Sequence, residues 1–275
     1  MKQDLYYWRL VATGLSYFTF GLGGLALRFI LLPLFQLSTP DPELLQVRTR
    51  RLHHLLFSCF ITLMRVLGVL TYSVQGIKAQ LNKPGLLVVA NHPTLIDVVF
   101  LISFMEQTNC IVRHGLFNNP FTGVPVRNAR YISSKNAQEM ISDCATRLKR
   151  GDSLIIFPEG TRTPMDSSLQ KLHRGAANIA IQANVRPTPV KISCEPRTLS
   201  RGQKWYHIPL SKPHWTFEVG SPIDLPNEEA RTKAARSLNR LLTSSISTVT
   251  ILVNAVNELT DKVNNQEKQI EELKK

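Results

Sequence analysis

Two short polar segments, each preceded by an apolar run, constrain the fold of this chain more than any other feature. Residues 91–97 read Asn-His-Pro-Thr-Leu-Ile-Asp and follow the apolar run 86–90. Residues 157–162 read Phe-Pro-Glu-Gly-Thr-Arg and follow a second run, 153–157. Short apolar runs bounded by turn residues are typical of buried strands. Each segment is therefore expected to project polar side chains from the end of a strand.

Strand-like and helix-like patterns alternate between the two segments and beyond them. Strands are predicted near 86–90, 110–113, 129–132, 153–157, 187–193 and 214–219, and helices near 95–106, 136–150 and 173–183. The chain has 275 residues and is 43% hydrophobic, which is enough to bury one sizeable core. The pattern predicts an α/β fold with a single mixed-sheet domain.

His92 lies on the strand-to-helix turn of the first segment. A histidine ordinarily titrates near neutral pH, so it can take a proton from a hydroxyl group. Asp97 is placed to accept the Nδ1 proton and to leave Nε2 free as the base. Residues five apart on a regular helix point away from each other. The pair is therefore predicted to meet only if the turn at Pro93 and Thr94 is irregular.

A purely structural role for the first segment stays open from its residues alone. Thr94-x-x-Asp97 also fits a helix start, in which Thr94 caps the helix and Asp97 interacts favourably with the helix dipole. The second segment favours chemistry, because it offers a carboxylate, a hydroxyl group, backbone N–H groups and the guanidinium of Arg162. The planar fork of that guanidinium suits a phosphate.

In this order, the two segments resemble the signature blocks of the glycerolipid acyltransferases typified by lysophosphatidic acid acyltransferase. That family carries a His and an Asp separated by four residues, followed by Phe-Pro-Glu-Gly-Thr-Arg. Weaker matches keep the family's order: Arg113-x-x-Leu116-Phe117-x-x-Pro120-x-x-Gly123, Leu172-His173-Arg174-Gly175, Pro189-Val190 and Gly220-Ser221-Pro222-Ile223. The resemblance covers residues 75–240, roughly.

The resemblance implies an O-acyltransferase that works by direct acyl transfer. His92 is expected to deprotonate a hydroxyl of a lysophospholipid such as lysophosphatidic acid, with Asp97 orienting the base. The hydroxyl then attacks the thioester of the donor, acyl-CoA or acylated acyl carrier protein. No covalent enzyme intermediate, metal or organic cofactor is expected. Four turn residues are expected around the acceptor: Glu159, Gly160, Thr161 and Arg162.

One position departs from the family pattern and bears on the acceptor. The family's second block commonly ends in an Arg that helps to hold the acceptor's phosphate, and Ser134 stands there in this chain. Arg127, Arg130 or Lys135 could take its place. The expected substrate-binding set therefore comprises, besides the turn, Arg113, Arg130, Lys135 and Arg174. An acceptor without a phosphate, or a specialised lipid, stays open as an alternative.

The N-terminal region is predicted to associate with a membrane. Residues 10–27 carry no charge, and the apolar stretch continues past Arg28 to Phe35. This stretch is long enough to span a bilayer and longer than the apolar core of a cleavable signal. A second stretch, 55–74, is mostly apolar and carries Arg65 as its one charge.

Charge favours two helices that dip into one leaflet over a spanning hairpin. A hairpin would carry Arg48, Arg50 and Arg51 across the membrane, against the positive-inside rule. The formal net charge of +13 suits an anionic lipid surface. Nucleic acid is disfavoured as a partner, because the basic residues are dispersed and no nucleic-acid motif accompanies them. The expected location is the cytoplasmic face of the inner (plasma) membrane.

The C-terminal residues 249–275 show a heptad pattern that predicts a coiled coil. Apolar residues recur there in steps of three and four, with Gln266 as a polar exception. Such a seam favours a homodimer or a docking partner, and a single amphipathic helix lying on its own domain is the alternative. The expected domains are a membrane-associated helical region at 1–75, an α/β acyltransferase domain at 76–226 and a C-terminal helix with the heptad extension at 227–275.

A non-catalytic membrane scaffold that dimerises through the coiled coil is the alternative to an enzyme. Such a scaffold would have no need of a paired base and carboxylate. The presence of both His92 and Asp97 therefore favours the enzyme.

Overall fold

The computed structural model describes residues 5–76, 81–119, 122–164, 171–226 and 233–247. Seven strands in this part of the chain form one sheet. They are β1 (Thr71–Gln75), β2 (Leu87–Ala90), β3 (Thr108–Val112), β4 (Ile132–Ser133), β5 (Ser153–Ile156), β6 (Pro187–Glu195) and β7 (His214–Val219). The α/β mixed-sheet domain predicted from the sequence is therefore confirmed.

The sheet has the strand order β1-β7-β6-β2-β5-β3-β4. β6 and β7 pair antiparallel, and all the other neighbours pair parallel. β2 lies in the middle, and all four of its residues are buried. Because β2 and β5 are parallel neighbours, their carboxyl ends meet at the same edge of the sheet. The two polar segments of the sequence therefore meet at that edge.

Helices cover both faces of the sheet. In the order of the chain they are α1 (Tyr6–Ala26), α2 (Leu32–Ser38), α3 (Pro42–Val66), α4 (Asp97–Phe104), α5 (Gly115–Asn118), α6 (Gly123–Asn128), α7 (Ala137–Lys149), α8 (Gly175–Ala183) and α9 (233–247). One face forms a core with α3 and α4, and the opposite face forms a core with α7, α8 and α9. The site described below lies where the central strands end between these two layers.

The helix predicted at 136–150 shows how local signals define an element. Asn136 is the N-cap of α7, and its side chain accepts hydrogen bonds from the backbone N–H groups of Gln138 (3.0 Å) and Glu139 (3.4 Å). Gly151 follows the helix with a φ of 92°, a conformation that glycine adopts without strain. The chain then enters β5 directly.

The two N-terminal helices differ in their contact with the sheet. α1 continues through a π-helical turn, Leu27–Leu31, into α2, and an 18-residue window of this 33-residue stretch has a mean hydropathy of 1.8 with 11% of the window buried. It is the one candidate membrane span among the described residues, by length and composition. α3 instead packs along α4 and contributes Ile61 and Met64 to the core.

The second apolar stretch was predicted at 55–74, and the structure corrects both ends. α3 begins much earlier, at Pro42, where Asp41 accepts a hydrogen bond from Glu43 N (3.0 Å) as N-cap. It ends at Val66, and residues 71–75 form β1 at the edge of the sheet, paired with β7. The alternating Thr-Tyr-Ser-Val pattern accounts for the strand. Its polar residues, Thr71 and Ser73, both bond the imidazole of His214.

The arginines expected between two membrane helices lie within α3 and bond to protein groups. Arg50 is 3% exposed, donates from Nε to Ala129 O (3.1 Å) and lies 3.5 Å from a carboxylate oxygen of Asp152. Arg51 pairs with Glu106 at 3.3 Å. These residues dock α3 on the α/β core, so they do not form a connection across a membrane.

Two further predictions differ from the structure or fall outside its described part. The strand expected at 129–132 is reduced to Ile132–Ser133, because Arg130 adopts a left-handed φ of 52° and turns the chain just before it. The heptad segment 249–275 and the helix start expected at Asn227 lie outside the described residues. Helix α9, just before the heptad segment, buries Leu238 and Leu242 against the sheet.

Candidate active site

The site begins where β2 ends. Asn91 is fixed there by two hydrogen bonds to β6, since its Oδ1 accepts from Ile192 N (2.7 Å) and its Nδ2 donates to Ile192 O (2.8 Å). The next residue, His92, therefore starts from a rigid point in the middle of the sheet. Its ring stacks on Phe157 with the centroids 4.3 Å apart, which places it beside the end of β5.

His92 and Asp97 meet across an irregular turn, as the sequence required. Residues 93–96 are not helical, and α4 begins at Asp97 itself. His92 Nδ1 lies 2.9 Å from Asp97 Oδ2. The Asp97 side chain is fully buried, whereas the His92 side chain is 18% exposed. Because a carboxylate only accepts hydrogen bonds, this contact assigns the proton to Nδ1 and leaves Nε2 as the acceptor.

Thr94 holds the other side of the Asp97 carboxylate. The Thr94 backbone N–H donates to Asp97 Oδ2 (2.6 Å), and the Thr94 hydroxyl donates to Asp97 Oδ1. Trp215 on β7, 1% exposed, donates from Nε1 to that hydroxyl (3.1 Å). The alternative interpretation, in which Thr94 caps the helix, is wrong, because the N-cap of α4 is Ile96 and no side chain caps it.

Glu159 joins the two motifs and is almost inaccessible. Its Oε1 accepts from the backbone N–H of His92 (2.8 Å), and its Oε2 accepts from the Thr163 hydroxyl (2.8 Å). Thr163 N in turn donates to His92 O (2.8 Å). With 3% exposure and both oxygens bonded, Glu159 holds the backbone of His92.

The exposed part of the second turn lies at Gly160 and Thr161. Gly160 has a left-handed φ of 68°, and a Cβ atom there would lie 3.7 Å from the ring of His173. Arg113, which follows β3, donates from Nη2 to the Thr161 hydroxyl (3.3 Å). The structure therefore brings Arg113 and His173 next to this turn.

Arg162 is held by a loop that no sequence signal connects to it. Its Nη1 donates to Leu199 O (3.1 Å) and more weakly to Ser200 O (3.4 Å). The same Leu199 carbonyl accepts from Leu95 N (3.0 Å), inside the His92–Asp97 turn. Arg162 therefore ties the two motifs to the segment between β6 and β7.

The remaining predicted binding residues are distributed unevenly. Lys135 follows β4 at the same edge of the sheet, and Arg174, exposed, is the N-cap of α8 beside His173. Arg130 precedes β4, and its carbonyl accepts a hydrogen bond from Arg147. Because that position is at the amino ends of the strands, the structure does not bring Arg130 to the edge that carries His92.

Sequence reasoning missed Trp215 and the Leu199 carbonyl. Trp215 lies 121 residues after Thr94, and its contact exists because β7 returns antiparallel to β6. A carbonyl group is present at every residue, so the sequence carries no signal for the one that receives Arg162. Across the described ranges, no group of three or more His, Cys, Asp or Glu residues is placed to hold a metal ion.

Comparison with known proteins agrees with this geometry. Residues 72–193, which include both turns, match the model of the Acyltransferase family. This central part of the chain is similar to the Acyltransferase family. The match begins within β1 and ends within β6, so it includes all the strands from the edge strand β1 to β6 and the base-bearing turn.

Curated relatives are similar to this part of the chain at modest identity. A chloroplastic 1-acyl-sn-glycerol-3-phosphate acyltransferase of Brassica napus, BAT2, is 27% identical over 165 residues, which cover 55% of this chain and 46% of the relative. The 1-acyl-sn-glycerol-3-phosphate acyltransferase of Pseudomonas aeruginosa is 26% identical over 168 residues, covering 58% of this chain and 61% of the relative. The chain thus spans about half the length of the curated relatives it matches.

The likeness to a solved structure extends over more of the chain than the family match does. The 1-acyl-sn-glycerophosphate (LPA) acyltransferase PlsC of Thermotoga maritima superposes with a TM-score of 0.62 over 87% of this chain and 96% of that one. The sequences are 19% identical in this comparison. At that level the likeness concerns the fold.

Proposed function

We propose that this protein is an O-acyltransferase of the 1-acylglycerol-3-phosphate type, with His92 as general base and Asp97 as the residue that orients it. The observation that carries the proposal is the 2.9 Å contact between His92 Nδ1 and Asp97 Oδ2, with the imidazole partly exposed at the open edge of the sheet. The family match and the curated relatives support the reaction class.

In the proposed reaction His92 Nε2 takes the proton from an acceptor hydroxyl as its oxygen attacks the carbonyl carbon of an acyl thioester. A C–O bond forms, the C–S bond breaks, and the proton passes to the departing thiolate of coenzyme A or of an acyl carrier protein. Backbone N–H groups of the turn that contains Gly160 are suited to stabilise the oxyanion. No enzyme-bound acyl intermediate is needed.

The acceptor is proposed to be a lysophospholipid such as lysophosphatidic acid. Arg113 and Arg174 flank the exposed turn, and Lys135 lies next to Ser134, where the family's second block ends in Arg. Cationic side chains in this arrangement suit a phosphate group. Arg162 already donates from Nη1 to two carbonyl groups, so we assign it mainly to holding the turn.

A phosphate-free acceptor is the second candidate, and one observation favours it. Ser134 stands at a position where the family carries Arg, and Ser134 contributes its backbone N–H to Val112 O (3.0 Å) at the sheet edge. If Lys135 does not replace that arginine, the site binds a lipid hydroxyl without strong phosphate recognition. A product analysis with both kinds of acceptor separates the two cases.

The N-terminal helices are proposed to place this site at the cytoplasmic surface of the inner membrane. Apolar side chains of α1, α2 and the π-helical turn between them are widely exposed, including Phe18 (67%), Phe29 (64%) and Leu37 (83%). α3 is docked on the α/β core through Arg50 and does not cross as a partner of α1. Helices α1 and α2 then lie in one leaflet, and a lysolipid reaches the site laterally from that leaflet.

The test is acyl transfer by the full chain reconstituted in vesicles. The protein is given lysophosphatidic acid with radiolabelled acyl-CoA and, separately, acylated carrier protein, and labelled phosphatidic acid is measured. His92→Ala is expected to abolish product, and Asp97→Asn is expected to lower the rate by about 10³–10⁴-fold, as for the equivalent carboxylate of serine proteases. Full activity of His92→Ala would overturn the mechanism.

A matched carboxylate on the surface supplies the control. Asp224→Asn changes an exposed residue after β7 by the same chemistry and is expected to leave the rate unchanged. Transfer to a neutral lipid hydroxyl, with none to lysophosphatidic acid, would select the phosphate-free acceptor. No transfer to any acceptor would favour the non-catalytic scaffold.

A further inference from the structure

The loop between β6 and β7, residues 196–213, has exposed apolar side chains, and all of its charged residues are basic. Trp205 is 43% exposed, Tyr206 41% and Leu210 62%. The loop contains four basic residues, Arg197, Arg201, Lys204 and Lys212, and no Asp or Glu. A large aromatic surface beside clustered cations is unusual on a face that meets only water.

One end of this loop is fixed to helix α1. Arg9, 3% exposed, donates to the carbonyl groups of Pro209 (3.0 Å) and Ser211 (3.2 Å). Trp205 packs over Gly14, where a Cβ atom would lie 3.5 Å from the indole, and its ring centroid is 5.7 Å from that of Tyr17. The loop is therefore held against α1 over two turns of the helix.

The contact places the loop beside the exposed apolar face of α1. Val11 and Phe18 lie three residues before and four residues after Gly14, so they neighbour it on the helix surface. They are 64% and 67% exposed. Trp205 therefore extends an apolar surface that α1 begins, and whatever covers the exposed face of α1 also meets the loop.

The other end of the loop is fixed to the candidate active site. Leu199 O receives hydrogen bonds from Leu95 N (3.0 Å) and from Arg162 Nη1 (3.1 Å). The Ser200 hydroxyl donates to Pro93 O (3.4 Å). A single loop thus connects the apolar helix to the backbone of the His92–Asp97 turn at two points.

We propose that the β6–β7 loop is a second lipid-binding element, which docks on the interface of an anionic bilayer. Trp and Tyr favour the headgroup level, where an apolar ring body and a polar group are both accommodated. Basic side chains beside them are attracted to anionic headgroups. The occupant is the lipid surface because the loop continues the apolar face of α1 and carries only positive charge.

The proposal rests on the membrane association proposed above but not on acyl transfer. Its consequence is that lipid contact fixes the loop, and the loop fixes the turn that carries the base. The loop is therefore a positioning element for the site as well as an attachment to the membrane.

Fluorescence of Trp205 in the full chain tests the proposal. The chain has three tryptophans, and Trp215 is 1% exposed. Trp8→Phe therefore leaves Trp205 as the exposed indole, and Trp8→Phe/Trp205→Phe gives the Trp215 signal to subtract. Both proteins are reconstituted into vesicles of phosphatidylcholine, or of phosphatidylcholine with phosphatidylglycerol, with chains brominated near the headgroup as quenchers.

Docking predicts that brominated lipid quenches Trp205 and that phosphatidylglycerol increases the quenching. Lys204→Gln in the Trp8→Phe protein is expected to lower the docking equilibrium constant by about fivefold in anionic vesicles, the effect of one lost cation at such a surface. Arg240→Gln is the matched control, because it removes an exposed cation from α9 on the opposite face of the sheet. It is expected to behave like the parent protein.

Three results would overturn the proposal, and flotation of the vesicles distinguishes them. If the protein floats with the vesicles but Trp205 stays unquenched, the docking of the loop is rejected. The association through α1 then remains in place. Equal quenching in neutral and anionic vesicles rejects the role of the basic residues. Failure of the chain to float at all rejects the membrane association too, while acyl transfer is measured independently.

Discussion

Asp97 depends on a chain of hydrogen bonds that crosses the sheet from β7 to the base. Trp215 donates to the Thr94 hydroxyl, that hydroxyl donates to Asp97, and Asp97 receives the Nδ1 proton of His92. Each of these atoms is buried except the imidazole. The orientation of the base is therefore set by residues that do not touch a substrate.

Thr94→Val tests this arrangement, because it keeps the shape of the side chain and removes the hydroxyl. One donor to Asp97 is lost and Trp215 Nε1 is left without its acceptor, so the rate constant kcat is expected to fall by about 10–100-fold with little change in KM. Initial rates over a range of acceptor concentrations measure both constants.

Thr94→Ser supplies the control, since it restores the hydroxyl group without the methyl group. Its activity is expected to return close to that of the unmodified protein. A Thr94→Val protein with unchanged kcat, or a loss that Thr94→Ser fails to reverse, would show that the hydroxyl has no role in orienting the base.

At this scale the sequence predicted the contact between His92 and Asp97 but not the residues that support it. The five-residue separation of His92 and Asp97 already required an irregular turn, and the structure has one. Glu159 was expected near the acceptor, yet it lies buried on the backbone of His92. The sequence does not distinguish a carboxylate that binds a ligand from one that binds a backbone N–H group. Only the fold shows which role a given carboxylate has.

Among the elements, α3 combines an apolar stretch that is predicted to associate with the membrane with polar and basic residues that contact the core. Its polar and basic residues pack against the core, where His53 Nδ1 lies 3.2 Å from the Tyr131 hydroxyl and Arg50 lies beside Asp152. Composition alone assigns the apolar half, 55–66, to lipid. The partners that bury the other half come from β3, the turn before β4 and the start of β5, and local patterns do not reveal them.

Because His53 is buried, the docking of α3 is predicted to lose stability at acidic pH. Burial, assisted by the charge of Arg50, lowers the pKa of His53 from 6.5 to about 4. In the unfolded chain, His53 therefore binds a proton as the pH falls below about 6.5. In the folded chain, His53 binds a proton only when the pH falls to about 4. Stability from neutral His53 is complete above pH 6.5, and about 3 kcal/mol of it is lost as the pH falls to 4.

Unfolding of the detergent-solubilised protein, followed by tryptophan fluorescence across this pH range, measures the effect. His53→Phe keeps the stacking with Phe57 and Tyr131 but cannot titrate, so its stability is expected to fall less steeply between pH 6.5 and 4. Parallel pH profiles for the two proteins would contradict the assignment.

On the scale of the whole molecule, the C-terminal region divides into a part needed for the core and a heptad part. α9 buries Ala235, Leu238, Leu242 and Ile246 against the sheet. Asn239 also donates to Leu172 O (3.2 Å), in the segment that resembles a family motif. The domain therefore extends to residue 247 and includes more than the family match.

A chain that ends after residue 247 is expected to keep its thermal midpoint and its transfer rate and to lose self-association. The heptad pattern of 249–275 predicts a dimer of the full chain, because apolar seams of this kind pair between helices. Light scattering in detergent measures the mass of both proteins. A full chain that is already monomeric would reject the coiled coil in favour of a single helix.

The central position of β2 also sets the order in which the site can form during synthesis. Its neighbours β5 and β6 come later in the chain, and β6 ends at Glu195. At the usual elongation rate of about 5–20 residues per second, β2 leaves the ribosome about 5–20 s before its last neighbour does. This apolar strand has neither neighbour until β5 emerges and only one until β6 emerges, while α1 has already emerged. Early contact of the nascent chain with lipid or a chaperone is therefore expected to decide how much active protein a cell obtains.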